Sequence, residues 1–257
     1  MDPVSFIVKK GINTRIIGNK LKYFEIMSST MDDVIQSGLN GENEGLTVVS
    51  ENQTHGRGRT GNQWVSQEGN LLFSILLRPP SEIVNLLQPM IALSLQASIK
   101  RYCKLNVDIK WPNDLLINQS KIAGMLFESG TTAGKLEYVA LGIGINVELQ
   151  KVPQITATYP VTDLQTHTEF FVDRNELFSN IIHDLDTAYW DLKLGFDPIQ
   201  RWKDELKIEG KMVSLNSNGI IITGLVLEVN DEGGLVVQCE NDNIVTVMTG
   251  NLIERKH

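Results

Sequence analysis

Cysteine is scarce in this chain of 257 residues: Cys103 and Cys239 are the only two, far apart and without histidines at ligand spacing. That excludes a disulfide framework and a clustered zinc site, and a reducing compartment is the default expectation. Long hydrophobic runs are missing too. Nothing reads as a transmembrane helix or as the apolar centre of a secretory signal, so a cytoplasmic protein away from membranes is expected. Positive charge is in deficit, with 23 Lys and Arg against 31 Asp and Glu and a net charge of -8. Binding to a phosphate backbone is driven by clustered cations, so no nucleic-acid surface is expected. The histidines His55, His167, His183 and His257 fall at neither metal-ligand nor triad spacing, and no serine sits in a GxSxG elbow.

What is present is an ordinary globular composition, enough for one domain of roughly 200 residues and a smaller second unit. A helix is predicted from Thr30, with Ser29 or Thr30 as N-cap, Asp32 and Asp33 in the first turn and Gly38 as the stop. Residues 46–50 and 71–77 read as strands, the second apolar enough to be buried on both faces. A helix follows through residues 89–103, begun near Glu82 or at Pro89. Short strands are predicted at 107–110, 115–117 and 122–128, with Asn118-Gln119-Ser120 as a hairpin turn, and another at 138–147. Asp173 to Glu176 fits a capping box opening the longest helix, whose stripe of Leu177, Ile181, Leu185, Ala188 and Leu192 runs to Leu194. Trp190 and Trp202 fall in helical patterns and are expected in the core. From Lys211 short β runs alternate with Asn-, Asp- and Gly-rich turns, as in a small barrel, giving units 1–208 and 209–257.

Three clusters stand out from this frame. Gly56-Arg57-Gly58-Arg59-Thr60-Gly61 matches GxGxxG by letter, but Asn62-Gln63-Trp64 and a turn at Glu68-Gly69-Asn70 lead into a strand. A dinucleotide fingerprint needs a helix opening at the glycines, so that reading fails. Glycines at alternate positions let backbone amides approach an anion, and two arginines add forked donors for phosphate or carboxylate. A solvated surface turn is the bland alternative. Such a loop, with cations and glycines and little to hold one conformation, is expected to move until a ligand orders it.

Lys110-Trp111-Pro112-Asn113-Asp114 ends one short strand and begins the next, and Asp114 and Lys121 are placed to pair across the hairpin. Here the bland reading is a salt-bridged sheet edge. Gly142-Ile143-Gly144-Ile145-Asn146 puts two glycines inside a strand, which weakens the sheet unless something must lie against the backbone. A packing or bulge explanation is equally open from the residues alone.

Taken in order, Ser28-Ser29-Thr30, residues 53–64, residues 110–114, Lys121-Ile122-Ala123-Gly124 and residues 142–146 resemble the motifs of biotin–protein ligases. The likeness spans about residues 25–150, and the β-rich tail resembles that family's SH3-like barrel. The resemblance implies an α+β fold, with the mixed sheet and flanking helices of class II aminoacyl-tRNA synthetases and lipoate ligases. No helix-turn-helix is read ahead of these motifs, so a single catalytic unit without a DNA-binding repressor role is expected. The implied activity joins ATP and biotin into biotinyl-5'-AMP, then passes biotin to a lysine on a carboxylase's biotin carboxyl carrier domain, with Mg²⁺ on the phosphates.

Carried over by position, Ser29, Thr30, Met31 and Gln53 fall on the biotin ureido contacts, although many relatives have Asn where Met31 stands. Arg57, Gly58 and Arg59 fall on the loop closing over biotin and phosphate, and Lys110 on the lysine near the biotin carboxylate and α-phosphate. Asp114 and Lys121 match catalytic positions, Lys121 also facing ATP. Trp64, Asn113 and Asn146 match nucleotide-side positions, and Gly124, Gly142 and Gly144 would floor the biotin pocket. The rivals are a lipoate–protein ligase and a non-catalytic biotin-sensing protein. Exposed strand edges offer a surface to the carrier or to a second copy, as in a homodimer.

Overall fold

The protein is described by a computed structural model covering residues 12–150, 160–217, 219–240 and 242–256. Its frame is a seven-stranded sheet in the order β1-β2-β3-β7-β6-β5-β4. The strands are β1 (Lys20–Met27), β2 (Leu46–Gln53), β3 (Asn70–Leu77), β4 (Asp108–Lys110), β5 (Asp114–Ile117), β6 (Ser120–Thr132) and β7 (Lys135–Asn146). Only β1 and β2 run parallel; the remaining pairs are antiparallel. The apolar run of β3 is buried throughout because the strand lies inside the sheet, between β2 and β7, with both faces covered. Asn118 and Gln119 turn the β5–β6 hairpin at positive φ of 48° and 64°.

Helices cover the two faces unequally. On one side α2 (Val84–Cys103) and α3 (Arg174–Lys193) pack together, and Phe178 meets Phe73 of β3 edge-on at 5.2 Å between ring centroids. Pro89 is carried inside α2, so the earlier of the two predicted starts is the one adopted. Asp173 caps α3, accepting from the amides of Asn175 and Glu176. Asp186, 3% exposed, accepts from the amides of Arg15, Ile16 and Ile17 at 2.7–2.8 Å and ties the start of the described chain to α3. Trp190 departs from expectation: it is 37% exposed, with Arg15 over its ring.

The other face carries only α1 (Thr30–Leu39), which closes a small cluster of Met31, Val34, Val48, Leu76, Tyr138 and Ala140. That leaves part of this face open. Cross-strand partners point to the same side, and one such row runs Ser50, Leu72, Gly144, Gly124, Asp114, Lys110. The row beside it holds Val48, Ser74, Gly142 and Leu126. Three separated motifs are therefore brought onto one patch by strand register.

Beyond α3, α4 (Ile199–Leu206) packs on α2 and β4 and buries Trp202 beside Gly233, in a turn of a second sheet, antiparallel, in the order β11-β10-β9-β8-β12. These strands are β8 (Met212–Ser217), β9 (Ile220–Val229), β10 (Leu235–Cys239), β11 (Ile244–Val247) and β12 (Asn251–Lys256). Among the described residues no ladder closes β11 onto β12, so the strands expected as a barrel stand as an open sheet.

Candidate active site

The glycine–arginine segment is folded back on itself. Trp64 N–H donates to the Gly56 carbonyl at 3.0 Å, Gly58 N–H to that of Asn62 at 2.8 Å, and a bridge joins Arg57 to Gln63. A Cβ on Gly56 would lie 2.5 Å from the Trp64 carbonyl oxygen, so this curl admits only glycine there. Its helical content is one 3₁₀ turn, Arg59–Gly61, in keeping with the failure of the dinucleotide reading.

Both arginines of the curl are engaged. Arg57 pairs with Asp32 of α1 at 2.9 Å and with Glu128 of β6 at 2.6 Å. Arg59 donates to the Asn113 side chain at 2.9 Å, to Thr249 Oγ1 at 2.5 Å and to the Gly250 carbonyl at 3.3 Å. Burial lowers the pKa of Arg59, and the nearby Asp114 carboxylate acts in the opposite direction. The expectation of a loop with unpaired cations is corrected: five partners hold it.

Beneath the curl lies a cavity of about 140 Å³. Its polar end is made by Ser29, Thr30, Gln53 and Ser74. Gln53 Oε1 accepts from both Thr30 N–H at 2.7 Å and Thr30 Oγ1 at 3.0 Å, and Ser74 Oγ lies 2.7 Å from Thr30 Oγ1. The Ser29 hydroxyl, at a residue 1% exposed, has no partner among the described residues. A buried hydroxyl without a partner is costly unless a ligand completes it.

The floor is the glycine patch. A Cβ on Gly142 would come within 2.8 Å of Met31 Sδ, and one on Gly144 within 2.6 Å of the Trp64 indole. At Gly124 it would meet Lys121 Nζ at 3.0 Å and Trp64 at 3.1 Å. The Trp64 ring thus packs against the glycine patch, and the cavity beside it is well below the ~300 Å³ of ordinary small-molecule pockets. Lys121 stands 5.4 Å from the centroid of that ring.

Lys121 pairs with Asp114 at 2.7 Å as expected, but by an unexpected route. In regular register Lys121 would point away from Gly124, three positions on. The β5–β6 ladder steps from Leu115↔Ala123 to Leu116↔Lys121, inserting Ile122 as a bulge. Ile122 and Ala123 then both face the core, and Lys121 turns to the cavity.

Two predicted residues are not among those lining the cavity. Lys110 sits in the same row as Asp114 but one strand further out, on β4 at the sheet's edge. Asn146 is occupied inside the protein: it accepts from Asn70 at 2.8 Å and donates to the Thr162 carbonyl at 3.0 Å. Ser74 and Asn251 line the cavity and were missed. Ser74 had left a signal, as the one polar residue inside an otherwise apolar strand run; Asn251 had left none. Among the described residues no three or more His, Cys, Asp or Glu gather as a metal site, and no helix is long and apolar enough to cross a membrane.

Residues 23–146, which hold every motif of this patch, match the model of the Biotin/lipoate A/B protein ligase family. The bifunctional ligase/repressor BirA of Bacillus subtilis is 32% identical over 252 residues, covering 95% of this chain and 77% of that protein. The chain belongs to the biotin/lipoate protein ligase family. Within it, the biotin–[acetyl-CoA-carboxylase] ligase of Paracoccus denitrificans is 30% identical, covering 74% of this chain and 83% of that protein. Among solved structures of this ligase family, the Aquifex aeolicus biotin protein ligase in complex with biotin and ATP superposes with a TM-score of 0.76 at 26% identity. It covers 92% of this chain and 98% of that one.

Proposed function

We propose that this chain is an ATP-dependent biotin–protein ligase that forms biotinyl-5'-AMP and transfers biotin to a lysine of a carboxylase's carrier domain. The observation that carries this reading is a single cavity joining a polar end at Ser29, Thr30 and Gln53, a glycine floor, and the cations Arg57, Arg59 and Lys121. A ureido ring presents one carbonyl and two N–H groups, which suits a dead end with the Ser29 hydroxyl unpartnered and Gln53 Oε1 accepting. A thiophane ring and alkyl chain then lie over Gly142 and Gly144.

In the first step a biotin carboxylate oxygen attacks the α-phosphorus, and pyrophosphate leaves. Two anions must meet, so the cations neutralise charge that grows as the new P–O bond forms. Lys121 is positioned for this by Asp114 and by the bulge. Lys110, one strand out, is assigned no contact with the reacting atoms, and Asn146 is assigned to holding strand ends together. Trp64, Asn113 and Asn251 take the nucleotide side, the indole moving off the glycine floor to admit biotin. Magnesium comes with the triphosphate: Asp114 is the one carboxylate among the described residues lining the cavity, and it is paired with Lys121.

In the second step the neutral lysine amine attacks the acyl carbon and AMP leaves, its proton passing to the Asp114 carboxylate or to solvent. The experiment is mass spectrometry of a carboxyl carrier domain after incubation with the chain, Mg-ATP and biotin, alongside a lipoyl domain with lipoate. Biotin on a single carrier lysine supports the assignment. Lipoate on the lipoyl domain and no biotin on the carrier overturns it in favour of lipoate ligation.

A further inference from the structure

Two of the three hydrogen-bond acceptors on Arg59 come from far along the chain, 190 and 191 residues away in sequence. The turn between β11 and β12 presents the Thr249 hydroxyl to Nη2 of the guanidinium and the Gly250 carbonyl to Nη1, which also donates to the amide oxygen of Asn113. This turn is itself braced, since Ser217 Oγ donates to the Thr249 carbonyl at 2.8 Å. A Cβ on Gly250 would come within 2.9 Å of the Asn216 carbonyl oxygen, so the backbone passes too close for a larger residue. Asn251, the next residue, reaches the cavity wall. A second tie joins the same two sheets: Trp111 Nε1 donates to the Gly233 carbonyl at 2.9 Å, from the turn between β9 and β10.

We propose that Thr249 and Gly250 are positioning residues for Arg59, so that the second sheet completes the adenylation site rather than merely following it in the chain. The inference rests on the ligase reading above, in which Arg59 faces phosphate. An arginine on a glycine curl has many rotamers, and aiming its fork at a growing phosphate charge requires that most be removed before chemistry. A neutral hydroxyl and carbonyl do this without neutralising the cation. A carboxylate in their place would pair with Arg59 and compete with the phosphate. By contrast Arg57, held by Asp32 and Glu128, must exchange carboxylates for substrate. Arg59 is thereby pre-set and Arg57 is displaceable.

The test uses the full chain and biotin-dependent pyrophosphate release from Mg-ATP, with variants Thr249→Val, Thr249→Ser, Arg59→Ala and Arg59→Ala/Thr249→Val. Thr249→Val is expected to lower kcat/KM about tenfold, the low end for a bond to a charged group, since Gly250 and Asn113 remain. Thr249→Ser retains the hydroxyl and should restore most of it. In the double variant the Thr249 substitution should add nothing to the loss from Arg59→Ala, because its effect passes through that arginine. A Thr249→Val protein as active as wild type while Arg59→Ala is impaired overturns the positioning role and leaves the ligase reading standing. Additive losses overturn it equally, because a purely structural residue would behave that way. Full activity in Arg59→Ala overturns the placement of Arg59 at phosphate, and the positioning role with it. Should Thr249→Val fold poorly, the comparison of Thr249→Ser with Thr249→Ala in the same cycle decides the matter.

Discussion

Lys121 and Asp114 face one another across 2.7 Å, and a single inserted residue, Ile122, is the reason they do. Without that bulge the lysine would project among the buried side chains on the opposite face. The pair is partly open, with side chains 28% and 18% exposed, so its worth lies in aiming the ammonium more than in stability.

Lys121→Ala should therefore fold normally and lose adenylate formation by about 10²–10³ in kcat, the usual range for removing one donor from a developing anion. Asp114→Asn should lose less, since the lysine keeps its charge but not its anchor. Single-turnover pyrophosphate release, with a thermal melt beside it, checks both. A Lys121→Ala enzyme within threefold of wild type would contradict the assignment.

The indole of Trp64 covers the glycine floor, so the proposed seat of biotin requires that it move. Biotin with ATP is predicted to change the tryptophan emission of the wild type and to leave that of Trp64→Phe largely unchanged. Gly144→Ala places a methyl where the ring now lies, within 2.6 Å of it. It should weaken biotin binding by about 1–3 kcal/mol, the ordinary cost of overpacking, measured by calorimetry. Unaltered affinity would mean that ligand and ring do not share this floor.

Much of this arrangement was legible in the sequence, and the reason is register. Alternating glycines in β7, the polar bend at residues 110–114 and the curl at 56–64 each broke a local rule, and unexplained local cost marks a site. The helix from Arg174 was readable because Asp173 caps it as the pattern required. That Lys110 stands one strand out from Asp114, at the sheet's edge, could not be read locally, because a lysine ending a strand looks the same in sequence whether its strand is central or at the edge. Sheet order decides that, and it is set by contacts distant in the chain. The partners of the Asn146 amide, Asn70, Lys121 and Thr162, are likewise distant in the chain. No local pattern announces that Thr249 will meet Arg59.

Stability has its own handle in Asp186. Asp186→Ala leaves three backbone amides, those of Arg15, Ile16 and Ile17, without their acceptor. It should cost about 2–4 kcal/mol, taking roughly 1–3 kcal/mol for each unsatisfied group with partial rescue by water. Urea unfolding checks this. Activity per folded molecule should be unchanged, because α3 lies across the sheet from the cavity; a selective loss of activity at normal stability would contradict the separation of the two faces.

At alkaline pH the buried Cys103 and Tyr189 and the half-buried Tyr102 act together. Burial pushes the Cys103 thiol up to about 12 from an ordinary 9.0. Burial first, then the hydrogen-bonded Glu176, raises Tyr102 to about 12 from 10.0. Tyr189 is raised as well, by burial and then by Glu44. The folded chain holds these protons more tightly than the unfolded chain. Their contribution is complete below the ordinary values and is lost as pH climbs from about 9 towards 12. Urea midpoints should fall steadily over that window, and Cys103→Ala should flatten its lower part. A midpoint that stays level would contradict the tighter hold of the folded chain on these protons.

That one cavity joins a biotin-sized acid to ATP is the central proposal, and pyrophosphate release with biotin or lipoate as the sole acid tests it most directly. Release that requires biotin, is absent with lipoate, and falls together in Lys121→Ala and Arg59→Ala is the predicted result. Release with lipoate alone, or biotin-dependent release untouched by both substitutions, would contradict it.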